Sequence, residues 1–151
     1  MTEITSYYPV ICTLQGRELS RFFIDTLDFE TVFESDWYWH LTMRHQSQVN
    51  IALVDASHAS VPAACRKPVQ GLILNLELKG VDNFYQQNRH RDWRVALPLR
   101  SEPWGQRHFI VATPVDGLLI DFIEVITTQP RQCSGQWCGF RALSRWLRSR
   151  K

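Results

Sequence analysis

Asp121 stands among aliphatic and aromatic residues in the segment LLIDFIEV, residues 118–125. Strand alternation puts Leu119, Asp121 and Ile123 on one face, with Ile120, Phe122 and Glu124 on the other. The second set is the one to pack on a helix, which turns Asp121 to the opposite side. A carboxylate placed there can serve as a general base, or it can be a structural group tied to a turn amide or an arginine. His108, in the segment RHFIVAT, shares a face with Ile110 and is opposite Phe109 and Val111, which read as core. Asp121 and His108 are therefore the candidate acid–base pair. His40, in WYWHLTM, occupies a comparable place earlier in the chain, whereas His45, His58 and His90 fall in loops or at a helix end and are assigned no role.

A second group of residues suits binding rather than proton transfer. Trp37, Tyr38, Trp39, Trp93 and Trp104 fall on strands and turns, with Arg107 close to Trp104. Aromatic walls and a guanidinium suit a planar or anionic organic ligand, through stacking and charge-assisted hydrogen bonds. Trp39, Trp104 and Arg107 are the candidate ligand-binding residues. The same aromatics can instead fill interfaces within the protein or between copies of it.

The elements that must position these residues come in two rounds. YYPVICTL reads as a strand, and GRELSRFFIDTL has helical spacing through Leu19, Phe22, Phe23 and Leu27. FETVFES, WYWHLTM and VNIALVD follow as three β-rich segments separated by polar turns. The second round is GLILNLEL, the short helix GVDNFYQQNRH, then WRVALPL, RHFIVAT and LLIDFIEV. Each round is β-α-β-β-β, so the fold class is α+β, with modules at about 7–55 and 71–126 joined by an Ala-, Ser- and Pro-rich linker at 56–70. A unit of this kind makes a curved mixed sheet with a helix on one face. Two such units, in one chain or across a dimer, are expected to enclose a cup-shaped pocket.

Composition narrows the function classes. With 151 residues, 44% hydrophobic and 21% charged, the chain reads as an ordered globular domain rather than a disordered one. A net charge of +2 gives no electrostatic case for nucleic-acid binding. No apolar run approaches the roughly 18 residues of a membrane span, and the first residues lack the pattern of a secretory signal. Cys12, Cys65, Cys133 and Cys138 match no zinc spacing and read as free thiols in a reducing cytoplasm. Residues 127–151 form a basic extension. Within it FRALSRWLRSR has Phe140, Leu143 and Leu147 at helical spacing, so a short C-terminal helix is expected.

LSRFFIDTLDFE, VDNFYQQN and above all EPWGQRHFIVATPVDGLLIDFIEV resemble the vicinal oxygen chelate superfamily, the glyoxalase/bleomycin-resistance/dioxygenase group. The resemblance covers roughly residues 7–126, and a single domain at 1–126 is expected. In metal-dependent members, His, Gln or Glu ligands on the strands hold a divalent cation. The resemblance places those positions at Asp121, at Asn50, and at about Tyr8 and Ile73. Isoleucine offers no donor and a phenol is a poor one near neutral pH. The expectation is therefore a protein of the bleomycin-resistance type, without metal or other cofactor. It is expected to bind a small aromatic or anionic organic molecule, with Tyr8 and Asn50 joining the ligand-binding residues. The resemblance also implies a homodimer. The other reading is a glyoxalase-type lyase, isomerase or dioxygenase that uses Asp121 and His108, with or without an atypical divalent metal.

Overall fold

The computed structural model describes residues 2–126, so the basic extension at 127–151, with Cys133 and Cys138, lies outside the described residues. The first module runs β1 (Val10–Thr13), α1 (Gly16–Leu27), β2 (Phe29–Glu34), β3 (Tyr38–Met43) and β4 (Gln46–Asp55). After a 3-10 turn at Ala63–Cys65 come β5 (Leu72–Glu77), α2 (Val81–Gln87), β6 (Val95–Glu102), β7 (Gln106–Ala112) and β8 (Leu118–Val125). The strands form two four-stranded sheets, ordered β1-β4-β3-β2 and β5-β8-β7-β6. The α+β class and the β-α-β-β-β order follow in both halves.

In the first sheet β1 pairs parallel to β4, with Val10 opposite Ala52, while β2, β3 and β4 pair antiparallel. Helix α1 buries Leu19, Phe23 and Leu27, one stripe at i, i+4 and i+8. It ends where Asp28 turns left-handed, at φ 58°, and its amide closes the last turn on the Phe23 carbonyl. The stripe packs with Ile11, Phe29, Leu41, Ile51 and Leu53, all buried. The phase of β3 is set by Leu41, which is fully buried, and Trp39 shares its side.

Gly16 opens α1 directly against that tryptophan. A Cβ at this position would lie 2.1 Å from Trp39 Cζ3 and 2.6 Å from its Cε3. Only glycine lets the helix start this close to the ring. Gly16→Ala is expected to cost about 1–3 kcal/mol through forced displacement of the indole. A urea midpoint unchanged from wild type would show that the ring yields without cost.

The second sheet holds its helix by three devices. Seven residues are too few for a stable isolated helix, so α2 depends on its surroundings. Phe84 and Tyr85 pack into a cluster with Trp93, Phe109 and Phe122, with ring centroids 4.8–5.0 Å apart for Tyr85–Phe109, Phe109–Phe122 and Phe84–Phe122. The Glu124 carboxylate accepts hydrogen bonds from the Gly80 and Val81 amides, each 3.0 Å. This pairs a negative charge with the helix N-terminus. Third, Arg107 donates from Nε and Nη2 to the two oxygens of Asp82, both at 2.6 Å.

That fork sets a pH dependence. Hydrogen bonding from Arg107 holds the Asp82 carboxyl below its ordinary pKa, against a smaller opposing effect of burial. The lowered folded-state value means the pairing stabilises fully above the ordinary carboxylate range, about pH 4, and is lost as pH falls through the lowered value. Asp82→Asn is therefore expected to flatten the acid limb of the stability curve, with a small effect because the pair is exposed. Denaturant midpoints at neutral and acid pH, wild type against variant, check this. Parallel acid limbs would contradict it.

Candidate functional site

Each sheet has a side away from its helix, and those two sides carry the polar residues. In β8, Phe122 packs on Phe84 and Glu124 reaches the start of α2, so Asp121 points the other way. It is 8% exposed and meets His108, which is 7% exposed on β7. His108 Nδ1 lies 2.9 and 3.0 Å from the two Asp121 oxygens, and because an ionised carboxylate only accepts, Nδ1 is the donor. His108 Nε2 lies 3.3 Å from Oε1 of Glu102, the last residue of β6. Arg100, which pairs across from His108 in the sheet, donates to the same Glu102 oxygen. The result is a chain Asp121–His108–Glu102–Arg100. Burial works against the ionised Glu102, but hydrogen bonds from His108 and Arg100 outweigh it and hold its carboxyl below the ordinary value.

The first sheet's far side is built around His40. Its Nε2 lies 3.3 Å from Asn50 Oδ1, and Asn50 Nδ2 donates to the Ser47 carbonyl at 2.6 Å. The Tyr8 ring lies against His40, with centroids 4.7 Å apart at 46°. Burial pushes the Tyr38 phenol up, and its neighbour Tyr8, which hydrogen-bonds to it, adds to the shift. Phe33 pairs across from His40, with its ring 6.3 Å from Tyr38. Tyr8, Tyr38, His40 and Asn50 are all half-buried, and Phe33 is exposed.

The other residues singled out in the sequence are dispersed. Trp39 is buried on the α1 side of β3, donating from Nε1 to Glu34 at 3.2 Å. There it joins the wall of an open hollow of about 470 Å³ at the start of α1, whose other lining includes Arg17, Glu18, Arg21 and Asp36. Trp104 sits in the turn between β6 and β7, donating from Nε1 to Gln106 at 2.7 Å. Arg107 faces α2 and is engaged with Asp82 and Ser101. One-residue alternation accounts for these placements. Trp39 and His40 leave opposite sides of one strand, and so do Arg107 and His108. Phe33 and Glu102 carry no sequence expectation, and Tyr38 falls in the aromatic group without being one of the candidate ligand-binding residues. The buried phase of Leu41 would have indicated Tyr38. Glu102 precedes a Pro-Trp-Gly turn and carries no sequence signal of its own.

The fold's implied metal finds a poor donor set here. Among the described residues no group of three or more His, Cys, Asp or Glu is placed to hold an ion. Asp121, His108 and Glu102 satisfy one another, Ile73 has no donor, and Tyr8 and Asn50 gather around His40. The residues do not fit a chelated cation.

No protein-family model matches the chain. No curated protein matches it either. Solved structures do. A glyoxalase/bleomycin resistance protein/dioxygenase from Nocardioides has a TM-score of 0.68 at 19% identity, over 88% of this chain and 91% of that one. A member of the same superfamily from Sphaerobacter thermophilus DSM 20745 has 0.64 at 23% identity, over 81% and 98%. The bleomycin-binding protein of Streptomyces verticillus, solved with copper(II)-bleomycin, has 0.57 at 17% identity, over 85% and 100%.

Proposed function

We propose, from the premise that this chain has the glyoxalase/bleomycin-resistance/dioxygenase fold, that it is a metal-independent protein that binds a small organic molecule. One observation carries the reading. The one charged side chain at an implied ligand position, Asp121, is directed at His108, and His108 in turn at Glu102. A half-buried aromatic group at Tyr8, Tyr38 and His40 is meanwhile left accessible on the first sheet. Aromatic faces of this kind hold planar molecules by stacking and by removing apolar area from water. A solved relative by fold binds bleomycin, which supports the ligand class in general. The proposal includes a homodimer in the cytoplasm. No helix among the described residues is long and apolar enough to cross a membrane, and Cys12 and Cys65 are free, as suits a reducing compartment.

The test is metal analysis of the full chain by mass spectrometry, before and after dialysis against Ni²⁺, Zn²⁺, Mn²⁺ and Fe²⁺. Metal well below one equivalent, with organic-ligand binding unchanged by chelator, is the expected result. One equivalent of metal that disappears in Asp121→Ala would overturn the reading.

The carboxylate–imidazole pair favours one second reading, an acid–base lyase or isomerase. Asp121 would fix the orientation of His108 through Nδ1–H, and Nε2, 3.3 Å from Glu102, would move the proton. Turnover of any carbonyl substrate that is lost in both His108→Gln and Asp121→Asn, with the fold intact, would make this the leading function.

A further inference from the structure

We propose that the far side of the first sheet is a site for a planar aromatic molecule carrying a hydroxyl or N–H donor, and that His40 Nδ1 accepts its hydrogen bond. The proposal rests on the small-molecule reading above and narrows it to a ligand class.

The inference follows from which atoms can donate. The Ser47 carbonyl only accepts, so the Asn50 atom 2.6 Å from it is the amide nitrogen. Asn50 Oδ1 is thereby turned to His40 Nε2, at 3.3 Å. An amide oxygen also only accepts, so Nε2 carries the imidazole proton. A neutral imidazole with its proton on Nε2 has a bare acceptor at Nδ1. The hydrogen bond to Asn50 is the one the His40 side chain makes among the described residues. The acceptor sits within an aromatic wall: Tyr8 is 4.7 Å from the His40 ring, and the Phe33 ring, 55% exposed, stands 6.3 Å from Tyr38.

Charge argues against an anion here. None of the residues that β1, β3 and β4 turn to this side is Lys or Arg. The nearby Arg44, just past β3, is paired with Asp28 and Glu30. From these strands a carboxylate would meet a bare imidazole nitrogen and no Lys or Arg. A phenol, an indole or a similar N–H heterocycle would stack and donate.

The experiment is calorimetric titration of the full-length protein at about pH 8, where an ordinary imidazole is neutral. Three probes share one ring system: 2-naphthol, 2-methoxynaphthalene and 2-naphthoate. The expected order is 2-naphthol first, by about tenfold over the ether, matching one retained hydrogen bond. The carboxylate is expected to be weakest. His40→Phe keeps an aromatic surface and is expected to abolish the naphthol advantage over the ether. Imidazole ¹⁵N shifts should show His40 with its proton on Nε2, and Asn50→Leu should remove that preference.

Equal binding of naphthol and ether, naphthoate as the tightest probe, a retained preference in His40→Phe, or a proton on Nδ1 would each overturn the assignment while leaving organic-ligand binding standing. If none of the three probes binds, this site fails. If, in addition, one equivalent of Asp121-dependent metal is found, the parent reading fails with it.

Discussion

Phe109→Ala should remove about 3–5 kcal/mol of stability, the range for deleting a large aromatic side chain from a packed core. Phe109 is fully buried, and its ring contacts the rings of Phe84, Tyr85, Trp93 and Phe122. The cavity left behind would be walled by rigid aromatic rings, which cannot collapse far into it. Helix α2 has seven residues and no stability of its own, so losing the ring that Phe84 and Tyr85 share loosens its hold on the sheet. Phe109→Leu retains most of the volume and should cost much less. Guanidinium unfolding monitored by near-ultraviolet circular dichroism gives the comparison. A loss below about 1 kcal/mol for the alanine variant would mean that the cluster is not the core of this sheet.

The second large effect is expected at Gly117. This residue has φ +83°, and a Cβ there would stand 2.5 Å from the Val69 carbonyl oxygen and 2.9 Å from the Gln70 Cα. Both obstacles are backbone, so neither can rotate away. The Gly117 carbonyl also accepts the Leu72 amide at 3.0 Å, so any shift disturbs the entry to β5. Gly117→Ala is expected to cost about 2–4 kcal/mol, combining a left-handed alanine with steric overlap. Gly71 supplies the internal control. It has φ +71° and nothing within 4 Å of its would-be Cβ, so Gly71→Ala should show the conformational cost alone, about 1–2 kcal/mol. Equal melting temperatures for the two variants would contradict the overlap argument.

The hydrophobic periods of both helices and the repeated β-α-β-β-β order could be read from residue types, because each rests on local spacing. The two sides of β8 could also be read, because Phe122 and Glu124 alternate cleanly with Asp121. Strand β3 was harder. Trp37, Tyr38 and Trp39 are consecutive aromatics, so composition cannot say which side carries the accessible ring. The answer depends on the pairing of Leu41 with Ile51 in the neighbouring strand. Arg107 was misleading for a related reason. Its partner Asp82 is 25 residues away on α2, a relation that no local pattern encodes. Register breaks added to the difficulty, since a bulge between Thr31 and Phe33 shifts which β2 side chain meets His40.

Those breaks have a consequence for association. Two of the four outer strands, β2 and β6, lose regular pairing, β2 near Val32 and β6 on both sides of Leu97, next to Pro98. Proline offers no amide, and a bulged edge presents its remaining groups out of step with any incoming strand. Glu30 and Glu34 add charge along β2. Neither of these two borders therefore offers a straight ladder for another chain to extend, which disfavours sheet growth along them. Copies that meet at β2 or β6 are expected to do so through side-chain surfaces, not by shared backbone hydrogen bonds.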